Sequence, residues 1–495
     1  MLLFLAVNLF FRILTAKKND MQRFIGREKE LKRLEEIKGS YKSEFIAVYG
    51  RRRVGKTMLV KQAFKNEFVF HVTAIANVTK QQQLLNFAAA LRKYDPAAAQ
   101  KPVPVNWFFA FQQLIEYLEQ SSAEKKVIFL DELPWFDNQK SDFIQSLEHF
   151  WNSWADARQD IILVVCGSAA SWMINSLINN RGGLHNRVTE RIQVEPFNLK
   201  ETEELLRLKN PSIDHYQVLQ LYMVMGGIPF YLEAVRGDQS AIQNIDRICF
   251  SKDGLLRTEF ENLYRALFRN SDLHVTAVRA IASKSKGLTR SEILEQTRLP
   301  DSGATTKVLD ELEKSGFIRR YSPFKRQKRE SLYQLVDFYS LFYLKFMENS
   351  DPIDENTWIN MIDNPAQRAW SGYAFEQVCL YHIRQIKTAL GISGILTQTS
   401  GWRSKQKKDG AQIDLVIDRR DHVINLCEMK FSIAPFTITK AYAGQLMHKV
   451  EVFREETKTN KALHLIMITT MGLARNNWSD TLVRNDLTMD VLFKD

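Results

Sequence analysis

The string Gly50-Arg51-Arg52-Arg53-Val54-Gly55-Lys56-Thr57 spaces two glycines, a lysine and a hydroxyl as a phosphate-cradling loop requires. The glycines let backbone N–H groups close on phosphate oxygens, and a helix N-terminus behind them adds a favourable dipole. Lys56 would reach the outer phosphates, and the Thr57 hydroxyl would bind Mg²⁺. A second set of residues lies far downstream: Asp414, then Glu428-Met429-Lys430. Two carboxylates and an ammonium suit metal-assisted hydrolysis of a phosphodiester.

For the loop to work it must leave a strand and open a helix. Residues 45–49 are a short β-type run ending in Gly50, and residues 58–60 open a helix beyond Thr57. Residues 127–130 predict a buried parallel strand that delivers Asp131 and Glu132 at its carboxyl end, where ligands of such sheets lie. Asp131 would hold the Mg²⁺ through water, and Glu132 would polarise the attacking water. Residues 161–167 predict another strand, ending at Ser168, whose hydroxyl either senses the γ-phosphate or caps the next helix. Residues 68–72 supply a further strand, with His71 a core or edge histidine. Arg51, Arg52 and Arg53 belong to the nucleotide-binding stretch as solvated side chains that raise the local positive potential.

The downstream set needs a hairpin. Residues 413–417 and 423–431 read as two strands joined by a turn at 418–421, which brings Asp414 opposite Glu428. Period-two alternation puts Lys430 on the same face as Glu428. Asp414, Glu428 and the Met429 carbonyl are oxygen ligands suited to Mg²⁺, and Glu376, on an amphipathic helix at 372–379, would complete the metal shell. Lys430 would orient or deprotonate water and stabilise charge on the phosphate. Charges laddered on the wet face of a surface hairpin would give the same pattern. Arg403, Lys405, Lys407 and Lys408 form a basic loop just upstream, whose natural partner is a phosphate backbone, and Trp402 reads as a core aromatic.

Between the two sets, Thr289 caps a helix, residues 299–303 turn, and residues 304–314 form a second helix. Two strands at 317–321 and 332–336 flank a basic wing, Lys325-Arg326-Gln327-Lys328-Arg329, which completes a winged-helix pattern. Thr305, Thr306 and Lys307 stand early on the second helix, where DNA contact would be made, but Asp310, Glu311 and Glu313 follow and would face phosphates badly.

Length and composition frame these motifs. The 495 residues suffice for about three domains. A net charge of +11 favours a polyanionic partner without naming it. The four cysteines are scattered, with no zinc spacing, which fits a reducing, cytoplasmic setting. The apolar opening of residues 1–20 lacks a basic start and a cleavage site and is too short to span a bilayer. It reads as a dispensable or mis-assigned extension ahead of Met21, and no stable membrane insertion is expected.

The first half resembles prokaryotic STAND/AAA-type ATPases of the branch called archaeal ATPases. The resemblance rests on Phe24-Ile25-Gly26-Arg27-Glu28, the phosphate loop, Leu130-Asp131-Glu132-Leu133-Pro134-Trp135, Cys166-Gly167-Ser168 and Gly226-Gly227-Ile228-Pro229. It implies that Pro229 reads the nucleotide state, where a turn between helices would explain the same residues structurally. It also implies an arginine before the last core strand, Arg187 with Arg191 as its rival, which either neutralises the γ-phosphate or pairs with a surface carboxylate. In such proteins the winged helix serves as a regulatory lever more than a sequence reader.

Residues 365–495 resemble the PD-(D/E)xK nuclease superfamily through Phe375-Glu376, residues 410–414 and Cys427-Glu428-Met429-Lys430, with Ile413 where the name's proline would stand. Tyr442 and Gln445 match the helix that follows the core in RecB-like members, as structural or DNA-backbone contacts.

The expected architecture is α/β: a P-loop NTPase parallel sheet at 21–200, a helical lid at 201–265, a winged helix at 266–350 and a restriction-endonuclease-like α/β domain at 365–495. The expected function is an ATP-binding and hydrolysing ATPase that regulates a Mg²⁺-dependent DNA nuclease, with ATP and Mg²⁺ as cofactors, DNA as partner and self-association left open. The alternative is an ATP-dependent switch or DNA-binding regulator whose nuclease-like domain only binds.

Overall fold

Apolar runs too continuous for a half-exposed strand build the amino-terminal sheet. In the computed structural model, which describes residues 24–138, 141–180, 182–268, 270–321, 324, 331–350, 356–362, 364–405 and 410–495, the chain divides into two compact units. Residues 24–196 carry the first unit, and residues 197–266 with 270–495 carry the second. The opening 20 residues, the basic wing and Lys407-Lys408 lie outside the described residues.

In the first unit, helix α1 (Glu28–Lys38) precedes strands β1 (Glu44–Gly50), β2 (Phe70–Thr73), β3 (Lys126–Asp131), β4 (Ile161–Gly167) and β5 (Glu190–Val194), and helix α2 (Lys56–Ala63) follows β1. All five strands run parallel, in the order β2-β3-β4-β1-β5. Every residue of β3 and β4 is buried, as parallel strands covered on both faces must be. Because β4 lies between β3 and β1, the loops leaving their three carboxyl ends are neighbours. The core on one face centres on Trp107, whose ring meets Phe87, Phe136 and Phe143 edge-on.

In the second unit, helices α3 (Leu199–Arg207) and α4 (His215–Met225) lead to a module of α5 (Ser271–Ala282), α6 (Arg290–Thr297), α7 (Gly303–Lys314) and an antiparallel pair, β6 (Ile318–Tyr321) with β7 (Leu332–Leu335). The Thr289 hydroxyl accepts from the Glu292 N–H, and the Glu292 side chain returns the bond, so α6 starts with a complete capping box. Thr305, expected at a DNA-facing position, is instead buried and donates to the Pro300 carbonyl at 2.7 Å. Its hydroxyl fixes the turn and is not available to a duplex.

The remaining elements form a second sheet. Helix α8 (Pro365–Tyr381) precedes β8 (Thr397–Arg403), β9 (Gln412–Arg419) and β10 (Val423–Lys430), and helix α9 (Lys440–Thr457) precedes β11 (Ala462–Thr469) and β12 (Asn485–Thr488). The order is β12-β11-β10-β9-β8, with the last three antiparallel and β10-β11-β12 parallel. Phe324, just beyond β6, donates its N–H to Gly401 and stacks near Phe453, joining the module to this sheet's core. Trp402 is buried against the same Phe453, edge-on at 5.0 Å.

Candidate functional site

The amino-terminal site begins where β1 ends. Gly50 has φ +149°, and a Cβ there would lie 2.1 Å from the Val194 carbonyl oxygen, so β1 can pack against β5 only with glycine at this point. Gly55 (φ +92°) caps α2 and turns the loop into the helix. Arg53 also adopts positive φ, at +70°, beside the buried Val54. Lys56 is buried and donates to the Arg51 carbonyl at 2.7 Å and to Ser168 Oγ at 2.9 Å. Arg51 is itself buried, which corrects the expectation of a solvated side chain, while Arg52 and Arg53 are half-buried. The loop is compact enough to enclose the first of its arginines.

Thr57 Oγ1 donates to the Asp131 carboxylate, at 3.1 Å and 3.2 Å from its two oxygens. Burial and the adjacent Glu132 push the Asp131 carboxyl above its ordinary range, against hydrogen bonds led by that of Thr57. Glu132 sits at φ +53° and accepts from the Ser168 hydroxyl at 2.6 Å and the Ser168 N–H at 3.2 Å. Ser168 does not cap the helix that follows it; its hydroxyl lies between Lys56 and Glu132. One hydroxyl thus joins the loop's cation to the glutamate after β3.

The second site lies on β9 and β10. Their ladder runs from Ile424↔Asp418 to Cys427↔Leu415, so the next step brings Asp414 beside Glu428. Asp414 also accepts from the Met429 N–H at 3.3 Å. Glu428 is buried and held by three donors: Lys449 at 2.7 Å, Lys430 at 3.0 Å and the Tyr442 hydroxyl at 3.0 Å. Burial alone would raise the Glu428 carboxyl, but the two lysines outweigh it and the net shift is downward. Glu376, on α8, has no such support. Burial first and the Asp414 charge second push it up to about 8. Asp414 rises as well, to about 6, by burial and then by Glu428. The three carboxylates therefore feel one another across the site.

Residues 24–235 match the family described as an ATPase domain predominantly from Archaea. The chain carries an archaeal-type ATPase domain. An uncharacterized protein of Methanocaldococcus jannaschii is 23% identical over 401 residues, spanning 79% of this chain and 84% of its own. Among solved structures, the Walker-type ATPase of Pyrococcus abyssi superposes with a TM-score of 0.49 at 17% identity, over 65% of this chain and 96% of that one. A STAND protein with a tetratricopeptide repeat sensor from Pyrococcus horikoshii superposes with a TM-score of 0.30 at 16% identity, over 75% of this chain and 52% of its own.

The ATPase domain contains further residues named from sequence. Arg187 pairs with Asp156 at 2.9 Å, both partly exposed, and Arg191 is exposed on β5. Pro229 opens the short helix Pro229–Leu232 in the second unit. Ahead of it, a Cβ on Gly227 would fall 1.7 Å from the Phe197 carbonyl oxygen, so close backbone packing accounts for that glycine. Arg27, quoted only as part of a motif, donates to the Val54 carbonyl at 3.3 Å and the Glu195 carbonyl at 2.5 Å. It ties the phosphate loop to the chain leaving β5. His71 stacks on Phe129 at 4.8 Å, and burial lowers it to about 4, as befits a packed, neutral ring.

Lys449 went unnoticed in the sequence. It lies 21 residues beyond Glu428, and only its place two turns beyond Tyr442 on α9 hints that it faces the same strand. Gln445, named with Tyr442, is exposed. No helix among the described residues is long and apolar enough to cross a membrane, and the four cysteines are buried and unpaired with one another.

Proposed function

We propose that the chain is an ATP-regulated, Mg²⁺-dependent DNA nuclease. The amino-terminal site would bind ATP, with loop N–H groups and Lys56 on the phosphates. Thr57 and Asp131, joined by a hydrogen bond, offer the oxygen donors that Mg²⁺ prefers and would hold it. Glu132 would orient the attacking water once Ser168 releases it, because the same hydroxyl also contacts Lys56, the group a γ-phosphate would draw away. Arg187 is a candidate to neutralise the γ-phosphate after leaving Asp156, and Pro229 is the candidate reader of nucleotide state.

In the carboxyl-terminal site, Asp414, Glu428 and Glu376 would hold a divalent ion only after drawing closer together, since among the described residues no three acidic, histidine or cysteine side chains are grouped to hold a metal ion as they stand. Two of these carboxyls are raised by burial and mutual repulsion, a state that a bound cation relieves. A metal bound there would polarise the scissile phosphate and acidify its water. Lys430, held at 3.0 Å from Glu428, would place its ammonium beside the developing charge. The observation that supports the reading is the ladder that sets Asp414 beside Glu428, with Lys430 3.0 Å from Glu428 and Glu376 lining the same cleft as Asp414. The test is supercoiled plasmid incubated with purified protein, Mg²⁺ and ATP: wild type should nick or linearise it, and Asp414→Ala should not while hydrolysing ATP as before. Intact plasmid under all conditions refutes the nuclease.

One observation favours the second reading, an ATP-dependent switch whose last domain only binds. Glu428 is already satisfied by Lys430, Lys449 and Tyr442, so a metal would have to compete with two ammonium groups. Binding of plasmid without cutting would select it.

A further inference from the structure

A cleft of about 240 Å³ opens beside the carboxylates, and its lining comes from different parts of the second unit. Its lining includes Glu376, Asp414 and Arg403 of the last domain and Lys286, Arg319 and Tyr321 of the module of residues 271–335. The module's part of the lining is rigidly built. Gly287 has φ +83°, and a Cβ there would meet the Tyr333 carbonyl oxygen at 2.4 Å, which pins the loop carrying Lys286 against β7. The Tyr321 hydroxyl donates to the Lys286 carbonyl at 2.7 Å. Gln334, buried, donates to the Ser285 carbonyl at 2.7 Å and to the Tyr373 hydroxyl at 3.3 Å, three residues before Glu376 on α8. Hydrogen bonds thus run continuously from the Lys286 loop to the helix that carries Glu376.

Three cations in this cleft lack carboxylate partners, whereas Lys284, also in its lining, pairs with Glu292 at 2.8 Å. Among the described residues, Lys286, Arg319 and Arg403 form no ion pair. Arg319 spends its Nε and one terminal nitrogen, at 2.9 Å and 2.6 Å, on the neutral oxygen of Gln334. Lys286 contacts the Gln412 side chain, two residues before Asp414, and is otherwise open at the mouth. Burial and the Arg403 charge lower the Lys286 ammonium, while Asp414 and Glu376 work the other way, so the lysine shares the carboxylates' field without touching them. A guanidinium and an ammonium kept partly desolvated and unpaired are costly unless an anion completes them.

We infer that this cleft is the phosphate-binding half of the carboxylate site, with Lys286 and Arg319 of the module and Arg403 of β8 gripping the DNA backbone. The inference rests on the nuclease reading and deepens it. The carboxylate domain supplies the acids, but two of the three unpaired cations come from the module, so the site is complete only when the module is docked. A phosphodiester would lie in the cleft, among these cations and beside the carboxylates. Movement of the module would then change substrate affinity directly.

The test measures binding of a fluorescein-labelled DNA oligonucleotide to the full chain by anisotropy, across a salt series, in an Asp414→Ala background where nothing is cut. Lys286→Ala should weaken binding about tenfold and reduce the slope of log affinity against log salt by about one, and Lys286→Arg should restore both. Arg319→Gln should do the same, with Lys286→Ala standing if that variant fails to fold. Unchanged affinity and slope in Lys286→Ala, or no DNA binding by the parent, would overturn the inference. If the Asp414-intact chain binds DNA through Lys286 yet never cuts it, the cleft stands and the nuclease reading alone falls.

Discussion

Replacing Glu376 by glutamine should make the metal-free protein more stable while impairing the chemistry proposed for the carboxyl-terminal site. Burial and Asp414 raise the Glu376 carboxyl from its ordinary 4.5 to about 8. The folded chain therefore holds a proton that the unfolded chain has already released between those values. Stability falls as pH rises through that window, because the unfolded state binds fewer protons there. At pH 7 the penalty approaches about 3 kcal/mol, each unit of displacement being worth about 1.4 kcal/mol. Glutamine keeps the shape and removes the ionisation, so Glu376→Gln should recover about 1–3 kcal/mol at pH 7–8 and almost nothing at pH 4.5. The assay is thermal unfolding of both proteins in EDTA from pH 4.5 to 8.5, taken as the difference between variant and wild type. Added Mg²⁺ should stabilise the wild type and leave the variant nearly unmoved. A variant that melts at or below wild type across the whole range would show that Glu376 carries no buried electrostatic penalty.

Other substitutions test the remaining links. Lys56→Ala removes the buried ammonium held by Arg51 and Ser168 and should weaken binding of a fluorescent ATP analogue about 10- to 100-fold, the worth of one or two charge-assisted hydrogen bonds. Gly50→Ala forces a Cβ to within 2.1 Å of the Val194 carbonyl and should cost about 3 kcal/mol or more, read as a lower denaturant midpoint for the amino-terminal unit. His382 is buried, donates from Nδ1 to Val378 and accepts the Leu199 N–H on Nε2, and burial lowers it to about 4. The unfolded chain then binds the extra proton between pH 6.5 and 4, so stability should drop by up to about 3 kcal/mol as pH falls through that range, and His382→Asn should abolish that part of the slope.

The amino-terminal site was legible in sequence because its parts are local. Residues 50–57 form one loop, and Asp131 and Glu132 end one apolar run, so composition alone placed them on a buried parallel sheet. Residue patterning did not mark strand β5, Glu190-Arg191-Ile192-Gln193-Val194, because alternate polar residues at a sheet edge resemble a solvated segment; only the family resemblance implied a last core strand there. Its role emerges only from Gly50, whose missing Cβ makes room for the Val194 carbonyl. The solvated reading of Arg51 failed for a related reason: the fold of the loop encloses the first arginine, and no spacing rule reports enclosure.

The carboxyl-terminal cluster shows the same limit more sharply. Alternation along residues 413–431 brought Asp414, Glu428 and Lys430 to one place, because a tight antiparallel hairpin converts sequence distance into register. Lys449 and Lys286 obey no such arithmetic. One reaches Glu428 from a helix, and the other reaches the cleft from a separate module, 126 residues before the Gln412 it contacts. Their placement also explains why the carboxylates differ. Glu428 is neutralised by direct ion pairs with Lys449 and Lys430, whereas Asp414 and Glu376 line a cleft in which Lys286, Arg319 and Arg403 form no ion pair among the described residues. Acids and cations that line one cleft without pairing are costly for a merely structural cluster. On the proposed reading, a divalent ion bound to a phosphate accounts for a cleft lined by both acids and unpaired cations, because it would carry both complementary charges.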